Sequence, residues 1–175
     1  MLRGQAFVNG FGIGMITPWL SHDDRPTARV AFNYIKDISW MKYNLREFLS
    51  YGTKERDLKL NGNIGVVSDT TEDPGNRNEE DNNNGLVTIT MPLIQHSVYR
   101  SEDGKKIAFI FTNVSRNDSA NFSFDINGAR YGLNGNLKLT ELRPNQTGVS
   151  KAISNHTTQN VTLQPLHSIA FIIEK

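Results

Sequence analysis

Apolar residues between positions 26 and 51 recur at steps of three and four, which is the period of an amphipathic α-helix. The stripe consists of Ala28, Ala31, Phe32, Ile35, Ile38, Met41, Leu45, Phe48 and Leu49. Pro26 suits the first turn, because its missing N–H is harmless there, and Gly52 suits the left-handed residue that follows a last turn. The pattern predicts a long helix of about 24 residues, with a stripe too wide for residues 1–25 alone to cover.

After Gly52 the apolar period changes from that of a helix to that of a strand. The alternating runs are 57–60, 64–67, 86–91, 93–100, 107–113, 120–126, 137–142, 160–163 and 168–173. No helical pattern separates them, so we predict a mainly β fold: an antiparallel β-sandwich of about eight strands, of Greek-key type, preceded by the long amphipathic α-helix. Near the start of the chain, the apolar runs 5–9 and 12–17 are also predicted to be extended.

The charges of the chain fall into three blocks, although the 175 residues carry a formal net charge of only +1. Residues 1–60 and 86–175 each have nine bases and six acids, whereas residues 61–85 have one base and six acids. This acidic, Asn-rich block has no large apolar residue from Ser68 to Gly85, so we predict a loop or insertion there. The near-neutral total argues against a nucleic-acid partner. No run reaches the ~18 apolar residues of a membrane helix.

Trp19, His22, Asp23 and Asp24 form a polar and aromatic cluster just before the long helix. A Trp face and carboxylates suit a sugar ring, because the C–H face of the ring stacks and its hydroxyls need acceptors. We therefore predict Trp19, His22 and Asp23 as carbohydrate-binding residues; the alternative is a helix start whose acids favour the macrodipole. Asp23 and Asp24 are adjacent and would not straddle a glycosidic bond, so we predict no catalytic residue.

Metal and cofactor sites have little support in the sequence. The chain has no cysteine, which excludes disulfides and thiolate zinc sites, and its four histidines are not spaced as a zinc pair. The oxygen-rich loop 73–85 has a faint calcium-loop spacing, but Pro92 stands where a bidentate Glu would fall. We predict no metal-ligating residue and no cofactor, with calcium at 73–85 as the alternative.

Four segments carry a resemblance to a known family. They are the helix ending 48–52 (Phe-Leu-Ser-Tyr-Gly), the hairpin start 97–104 (Ser-Val-Tyr-Arg-Ser-Glu-Asp-Gly), the apolar run 107–113, and the last apolar run 169–173, which follows Pro165. Together they resemble the C-terminal end of bacterial glycoside-hydrolase-like proteins of the alpha-galactosidase type. The acidic block and residues 53–57 (Thr-Lys-Glu-Arg-Asp), which replace a Met-x-Arg-Pro stretch, depart from that pattern.

The resemblance implies that the catalytic part is not within this chain. In that family a (β/α)8 barrel carries the catalytic carboxylates on earlier strands, and such a barrel takes about 200 or more residues. Residues 1–60 would be its terminal strand-loop-helix remnant, 61–85 an acidic insertion, and 86–175 the sandwich, which strands at 57–67 could join. The missing barrel, the sandwich or a second copy of the chain would cover the helix stripe.

Three functional hypotheses follow. The first is a non-catalytic C-terminal ancillary β-sandwich that supports a missing catalytic barrel and meets carbohydrate through the parent protein, without activity of its own. The alternative is a stand-alone carbohydrate-binding or adhesin-like β-sandwich, with Tyr99, Tyr131 and Trp19 as its aromatic candidates. The third is a small complete hydrolase that uses Asp23 or Asp24. Without cysteine, a bacterial glycoside hydrolase exported to the periplasm or cell surface is the expected parent; this chain has no signal-peptide pattern.

Overall fold

The computed structural model describes residues 2–11, 26–62, 64–72 and 86–175. The helices are α1 (Leu2–Val8), α2 (Pro26–Asn44) and α3 (Arg46–Leu49). The strands are β1 (Thr53–Lys54), β2 (Val66–Glu72), β3 (Leu86–Pro92), β4 (Ile94–Arg100), β5 (Lys106–Asn113), β6 (Ala120–Asn127), β7 (Leu137–Leu142), β8 (Val149–Ile153), β9 (His156–Leu163) and β10 (Ser168–Glu174). A 3₁₀ turn occupies Gly128–Tyr131. None of the described helices is long and apolar enough to cross a membrane.

The run 5–9 lies in helix α1 and its ending, so the prediction of an extended segment there is wrong. Gly10, with φ of 75°, closes the helix in the left-handed conformation. The Phe11 N–H donates to the Ala6 carbonyl at 2.9 Å and the Gly10 N–H to the Phe7 carbonyl at 3.0 Å, a Schellman ending. A short apolar run does not distinguish the two periods. The run 12–17 lies outside the described residues.

The predicted helix of about 24 residues is interrupted, which corrects its length. Helix α2 begins at Pro26 as predicted and ends at Asn44, and α3 follows after Leu45, which has φ of −100° and ψ of 15°. The Asn44 side-chain amide donates to the Trp40 carbonyl at 2.8 Å, and such local bonds compete with the helical ladder. Gly52 does not adopt the predicted left-handed conformation, since Ser50 ends α3 in a right-handed one.

The described strands form an antiparallel six-stranded sheet and two separate two-stranded pairs. The order in the large sheet is β1-β4-β5-β10-β7-β8, while β6 pairs with β9 and β2 with β3. Strand β7 has the predicted bounds, and β4, β5, β6 and β10 each differ from theirs by one residue at one end. The mainly β, antiparallel fold is therefore confirmed, and it is consistent with a β-sandwich.

Three strand predictions need correction. Residues 57–60 form no strand; Leu58 is buried in the core, and only Asn61 forms a bridge, with Ser123 of β6. Residues 68–72, predicted as loop, belong to β2, where hydroxyl pairs such as Ser68 with Thr90 (2.8 Å) replace apolar cross-strand contacts. Strand β8 was not predicted, because an edge strand exposed on both faces has no apolar alternation. Residues 73–85 lie outside the described part.

The molecule has three layers. Alternate residues of the six-stranded sheet, such as Phe109 and Phe111, pack against Phe122 and Phe124 of the β6–β9 pair. The opposite surface, which we call the helix face, carries Ser97, Tyr99, Ala108, Ile110, Thr112, Ser168 and Ala170, all buried. The helices cover it with Phe7, Val8, Tyr34, Ile38, Met41, Leu45, Phe48 and Leu49. The sheet, one of the three candidate partners, thus covers the part of the stripe from Ile38 to Leu49; the barrel and a second copy of the chain stay predictions.

Candidate functional site

The carbohydrate-binding residues predicted from sequence, Trp19, His22 and Asp23, lie outside the described residues, as does Asp24. The same holds for the calcium candidate at 73–85. In the described part no group of three or more His, Asp or Glu side chains comes together as a metal site. The sugar-binding and calcium assignments therefore stay predictions.

Tyr99 and Tyr131, the other aromatic candidates for stacking on a sugar, are each only 5% exposed. Tyr131 packs edge-on against Phe109, with ring centroids 5.7 Å apart. Burial raises the pKa of Tyr99, and the nearby Asp57 carboxylate raises that pKa further, while a hydrogen bond with Ser97 opposes both. A ring enclosed by protein cannot stack on a ligand, so the assignment of these two residues to sugar stacking is wrong.

A surface cleft of about 370 Å³ lies where the end of α1, strand β1, segment 57–64 and the start of β4 meet. Its polar and charged lining residues are Asn9, Lys54, Asp57, Gln95 and His96, and its apolar lining residues are Leu60, Ile64, Pro92 and Ile94. This volume is within the range of small-molecule sites. Five polar side chains from four separate segments converge on it, which makes it a candidate site.

The elements around the cleft place these side chains directly. Asn9 stands at the C-cap of α1, immediately before the left-handed Gly10, so the Schellman ending fixes its position. Lys54 lies on β1 opposite Tyr99 of β4. The Lys54 ammonium donates to Asn9 Oδ1 at 2.8 Å and lies 4.0 Å from Asp57 Oδ1. One cation and one carboxylate thus stand next to each other at the mouth of the cleft.

His96 and Gln95 form the wall contributed by β4. His96 Nε2 lies 2.9 Å from the Leu58 carbonyl oxygen, and because a carbonyl only accepts, Nε2 carries the proton. The ring is stacked on Phe111, with centroids 6.2 Å apart and an interplanar angle of 23°. The Gln95 amide nitrogen donates to the Pro92 carbonyl at 2.6 Å. Both rotamers are therefore held by protein contacts, which leaves His96 Nδ1 and Gln95 Oε1 as acceptors.

No local motif in the sequence announces this cleft. Asn9, Lys54, Asp57 and Gln95 are separated by up to 86 positions and come together only when α1 packs on the sheet edge. The one usable signal is Gly10 after an apolar run, which is typical of a helix ending and would have placed Asn9 at a cap.

No family model matches the sequence, and no curated protein matches it. Solved structures of glycoside hydrolases resemble part of it. An alpha-L-arabinofuranosidase from Thermotoga maritima, in an arabinose complex, is 15% identical over 53% of this chain and 22% of its own, with a TM-score of 0.35. A Paenibacillus polymyxa xyloglucanase from Glycoside Hydrolase Family 44 is 16% identical over 55% and 21%, with a TM-score of 0.33. A GH51 alpha-L-arabinofuranosidase from Thermotoga petrophila is 18% identical over 53% and 21%, with a TM-score of 0.33.

The chain spans about a fifth of the length of these solved proteins. None of the three is described as an alpha-galactosidase. At these TM-scores the likeness carries no argument about what this chain does. The alpha-galactosidase type stays a prediction from sequence.

Proposed function

We propose that this chain is a non-catalytic, ancillary β-sandwich unit of a glycoside-hydrolase-like protein, and that it packs against that protein's catalytic barrel through its helix layer. The observation that carries the proposal is where large apolar side chains remain exposed. Six such side chains occur in the described residues: Phe11, Val30, Tyr43, Tyr51, Val66 and Val149. Four of the six belong to the helical part, residues 2–51, although that part makes up well under half of the described chain.

The exposure of these four residues does not result from poor packing of the helix layer. The inner side of α2 and α3 is closed, with Ile38, Met41 and Leu45 fully buried against the sheet. Tyr43 and Tyr51 are 68% and 66% exposed on the other side of the same segment. Exposed apolar groups concentrated on one layer are typical of a surface that meets another domain. The sequence resemblance, which makes residues 1–60 the terminal strand-loop-helix unit of a barrel, supplies the partner, namely the other units of that barrel.

The chemistry of the cleft supports an ancillary role. Glycoside hydrolysis takes two carboxyl groups about 5 to 9.5 Å apart across the bond. Among the described lining residues only Asp57 is a carboxylate, and the neighbouring Glu55 accepts from Arg100 Nε at 2.6 Å. A small complete hydrolase would rely on Asp23 or Asp24, which lie outside the described residues. The alpha-galactosidase type and bacterial export are finer parts of the proposal that rest on the sequence resemblance and on the missing cysteines.

The first test is to determine the coding sequence upstream of Met1. An open frame that continues through repeated strand-helix units would support the proposal. A stop codon with a ribosome-binding site directly upstream would overturn it.

The second test uses the complete parent protein. The double variant Tyr43→Ser, Tyr51→Ser should lower the melting temperature of the catalytic barrel in the parent while leaving the isolated chain unchanged. Val149→Ser is the matched control, because Val149 is 72% exposed but lies on β8, outside the helix layer. Equal effects of the double variant and the control would argue against a barrel on this surface.

A stand-alone carbohydrate-binding or adhesin-like module remains the alternative. The burial of Tyr99 and Tyr131 removes two of its three aromatic candidates, and Trp19, the third, lies outside the described residues. Glycan-array binding by the isolated chain, together with a stop codon upstream of Met1, would favour it over the ancillary role.

A further inference from the structure

We infer that the cleft between α1, β1 and β4 binds a neutral saccharide unit, so that the ancillary unit itself contacts the polymer on which the parent protein acts. This inference rests on the proposed function for its biological setting. Its physical basis is independent of that setting and lies in the charge, the hydrogen-bonding groups and the apolar wall of the cleft.

The charge of the cleft selects a neutral ligand. Among the described lining residues, Lys54 and Asp57 are the charged ones, with their charged atoms 4.0 Å apart. An anionic ligand would be attracted by the Lys54 ammonium but repelled by the Asp57 carboxylate. A cationic ligand would be attracted by the carboxylate but repelled by the ammonium. Either ligand would be repelled by one partner about as strongly as it is attracted by the other. A ligand without net charge meets no such opposition.

The hydrogen-bonding groups match hydroxyls, which both donate and accept. The Lys54 ammonium has three donors and uses one on Asn9 Oδ1. Asp57 is largely exposed, and its distance of 4.0 Å from Lys54 is beyond a hydrogen bond, so its oxygens can accept. Gln95 Oε1 and His96 Nδ1 are further acceptors, on side chains that their other polar atoms hold in place. One donor group and three acceptor groups therefore line the same cavity.

The apolar lining gives the cleft a second kind of wall. Leu60, Ile64, Pro92 and Ile94 line it beside the polar groups. A sugar ring presents C–H groups on its faces and hydroxyls around its rim, so it uses both walls at once. A volume of about 370 Å³ accommodates a ligand of one or two rings.

A peptide strand is the competing occupant, because the cleft follows an open sheet edge. Strand β1 pairs only with Tyr99 and Arg100 of β4. The Glu55 N–H donates to the Val98 carbonyl at 2.9 Å, so the backbone groups of Val98 point towards this edge. Every second residue of a strand turns its N–H and C=O to the same side, so Ile94 and His96 point theirs towards the same edge. Two residues provide too short a ladder for specific strand addition, whereas the converging side chains suit hydroxyls. The observations favour the saccharide.

The test is a titration of the full chain, observed by amide chemical shifts. The probes are neutral arabino-, xylo- and gluco-tetraose, a tetragalacturonate as the charged counterpart, and a neutral six-residue peptide. We expect at least one neutral tetraose to shift the amides of Gln95 and His96 at millimolar concentration, with the tetragalacturonate and the peptide without effect. Shifts caused by the peptide alone, shifts confined to other surfaces, or no shifts with any probe would overturn the inference.

Two variants sharpen this test. Asp57→Asn and Gln95→Ala should each weaken the binding of the active tetraose by about tenfold, the effect of losing one ligand hydrogen bond. Asp125→Asn is the matched control, since Asp125 is an exposed carboxylate on β6, away from the cleft. Equal affinity of all three variants would overturn the inference. Because Asp57 is exposed, its variant keeps the fold. If no saccharide binds, the proposal that the helix layer packs on a barrel is unaffected. If a stop codon lies upstream of Met1, the saccharide-binding result is unaffected.

Discussion

The hydroxyl of Tyr34 lies 3.0 Å from Oγ1 of Thr112, a buried hydrogen bond that joins helix α2 to strand β5 across 78 positions of the chain. Ser168 of β10 donates to the same Thr112 oxygen at 2.9 Å. Helix α1 closes over this link, because a Cβ at Gly4 would contact the Tyr34 hydroxyl and would lie 2.6 Å from Val114 Cγ1. The helices are thus attached to the sheet by a buried polar contact as well as by apolar packing.

Replacing Tyr34 with Phe should lower the free energy of unfolding by about 1 kcal/mol, since it removes one buried hydrogen bond while Ser168 still satisfies Thr112. Urea denaturation followed by circular dichroism measures this. Tyr43→Phe is the control, because the Tyr43 ring is 68% exposed and should contribute almost nothing through its hydroxyl. If both variants were as stable as the parent chain, the Tyr34–Thr112 bond would not stabilise the fold.

The same tyrosine predicts a loss of stability in alkali. Burial raises the pKa of Tyr34 to about 12, against the opposing effect of its hydrogen bond with Thr112. An unfolded chain releases this proton near its ordinary pKa of about 10, so above that pH the native state binds more protons than the unfolded state. The contribution of protonated Tyr34 to the free energy of unfolding is therefore fully present below about pH 10 and is lost as the pH rises towards 12.

Urea midpoints at about pH 9 and pH 11 test this linkage. The unmodified chain should lose about 1 kcal/mol more than Tyr34→Phe over that interval, because the variant has no such proton to release. Tyr99 and Tyr131 also have raised pKa values from burial, so both proteins should decline. Parallel declines of the two proteins would show that Tyr34 is not the group responsible.

Gly52→Ala should destabilise the chain by about 1 to 3 kcal/mol, through crowding rather than through backbone strain. A Cβ at Gly52 would overlap the Arg100 carbonyl oxygen and would lie 2.6 Å from the Phe48 carbonyl oxygen. Glycine is needed here because the backbone leaving α3 passes close against the end of β4. Ser50→Ala, in the same exposed turn, is the control for thermal unfolding and should change the melting temperature little. A Gly52→Ala melting temperature equal to that of the control would contradict the close approach.

The strands that the sequence predicted well are those with turn residues beside them and apolar side chains at alternate positions. Strand β7 matches its predicted bounds, and β4 and β5 match to within one residue at their starts. Strand β8 has Val149, Ser150, Lys151 and Ala152 all exposed, so nothing in its pattern separates it from a loop. Strand β2 is held by hydroxyl pairs, and a run of Ser and Thr predicts a loop because these side chains bury little apolar surface.

Tertiary arrangement was harder to predict than the strands. The helix stripe was recognised, but three partners for it stayed open. One signal could have decided among them: Ala108 and Ile110 alternate with Phe109 and Phe111, so β5 is apolar on both sides. A strand of that kind needs cover on both faces. The cleft could not be predicted in this way, since Asn9 and Gln95 meet only through the packing of α1 on the sheet edge.

Ala170→Leu is the sharpest test of the helix face. Ala170 is fully buried on the helix face of β10, where its cross-strand partners are Ile110 of β5 and Leu142 of β7. A leucine there has no free volume and should displace the helix layer, with a loss of about 1 to 3 kcal/mol in the free energy of unfolding. Ala152→Leu makes the same change at an exposed position of β8, so it should leave stability nearly unchanged. Hydrogen exchange would locate the effect: faster exchange in α2 than in β5 is expected for Ala170→Leu. Tolerance of this leucine at the level of Ala152→Leu would mean that the helices are not packed closely on the sheet.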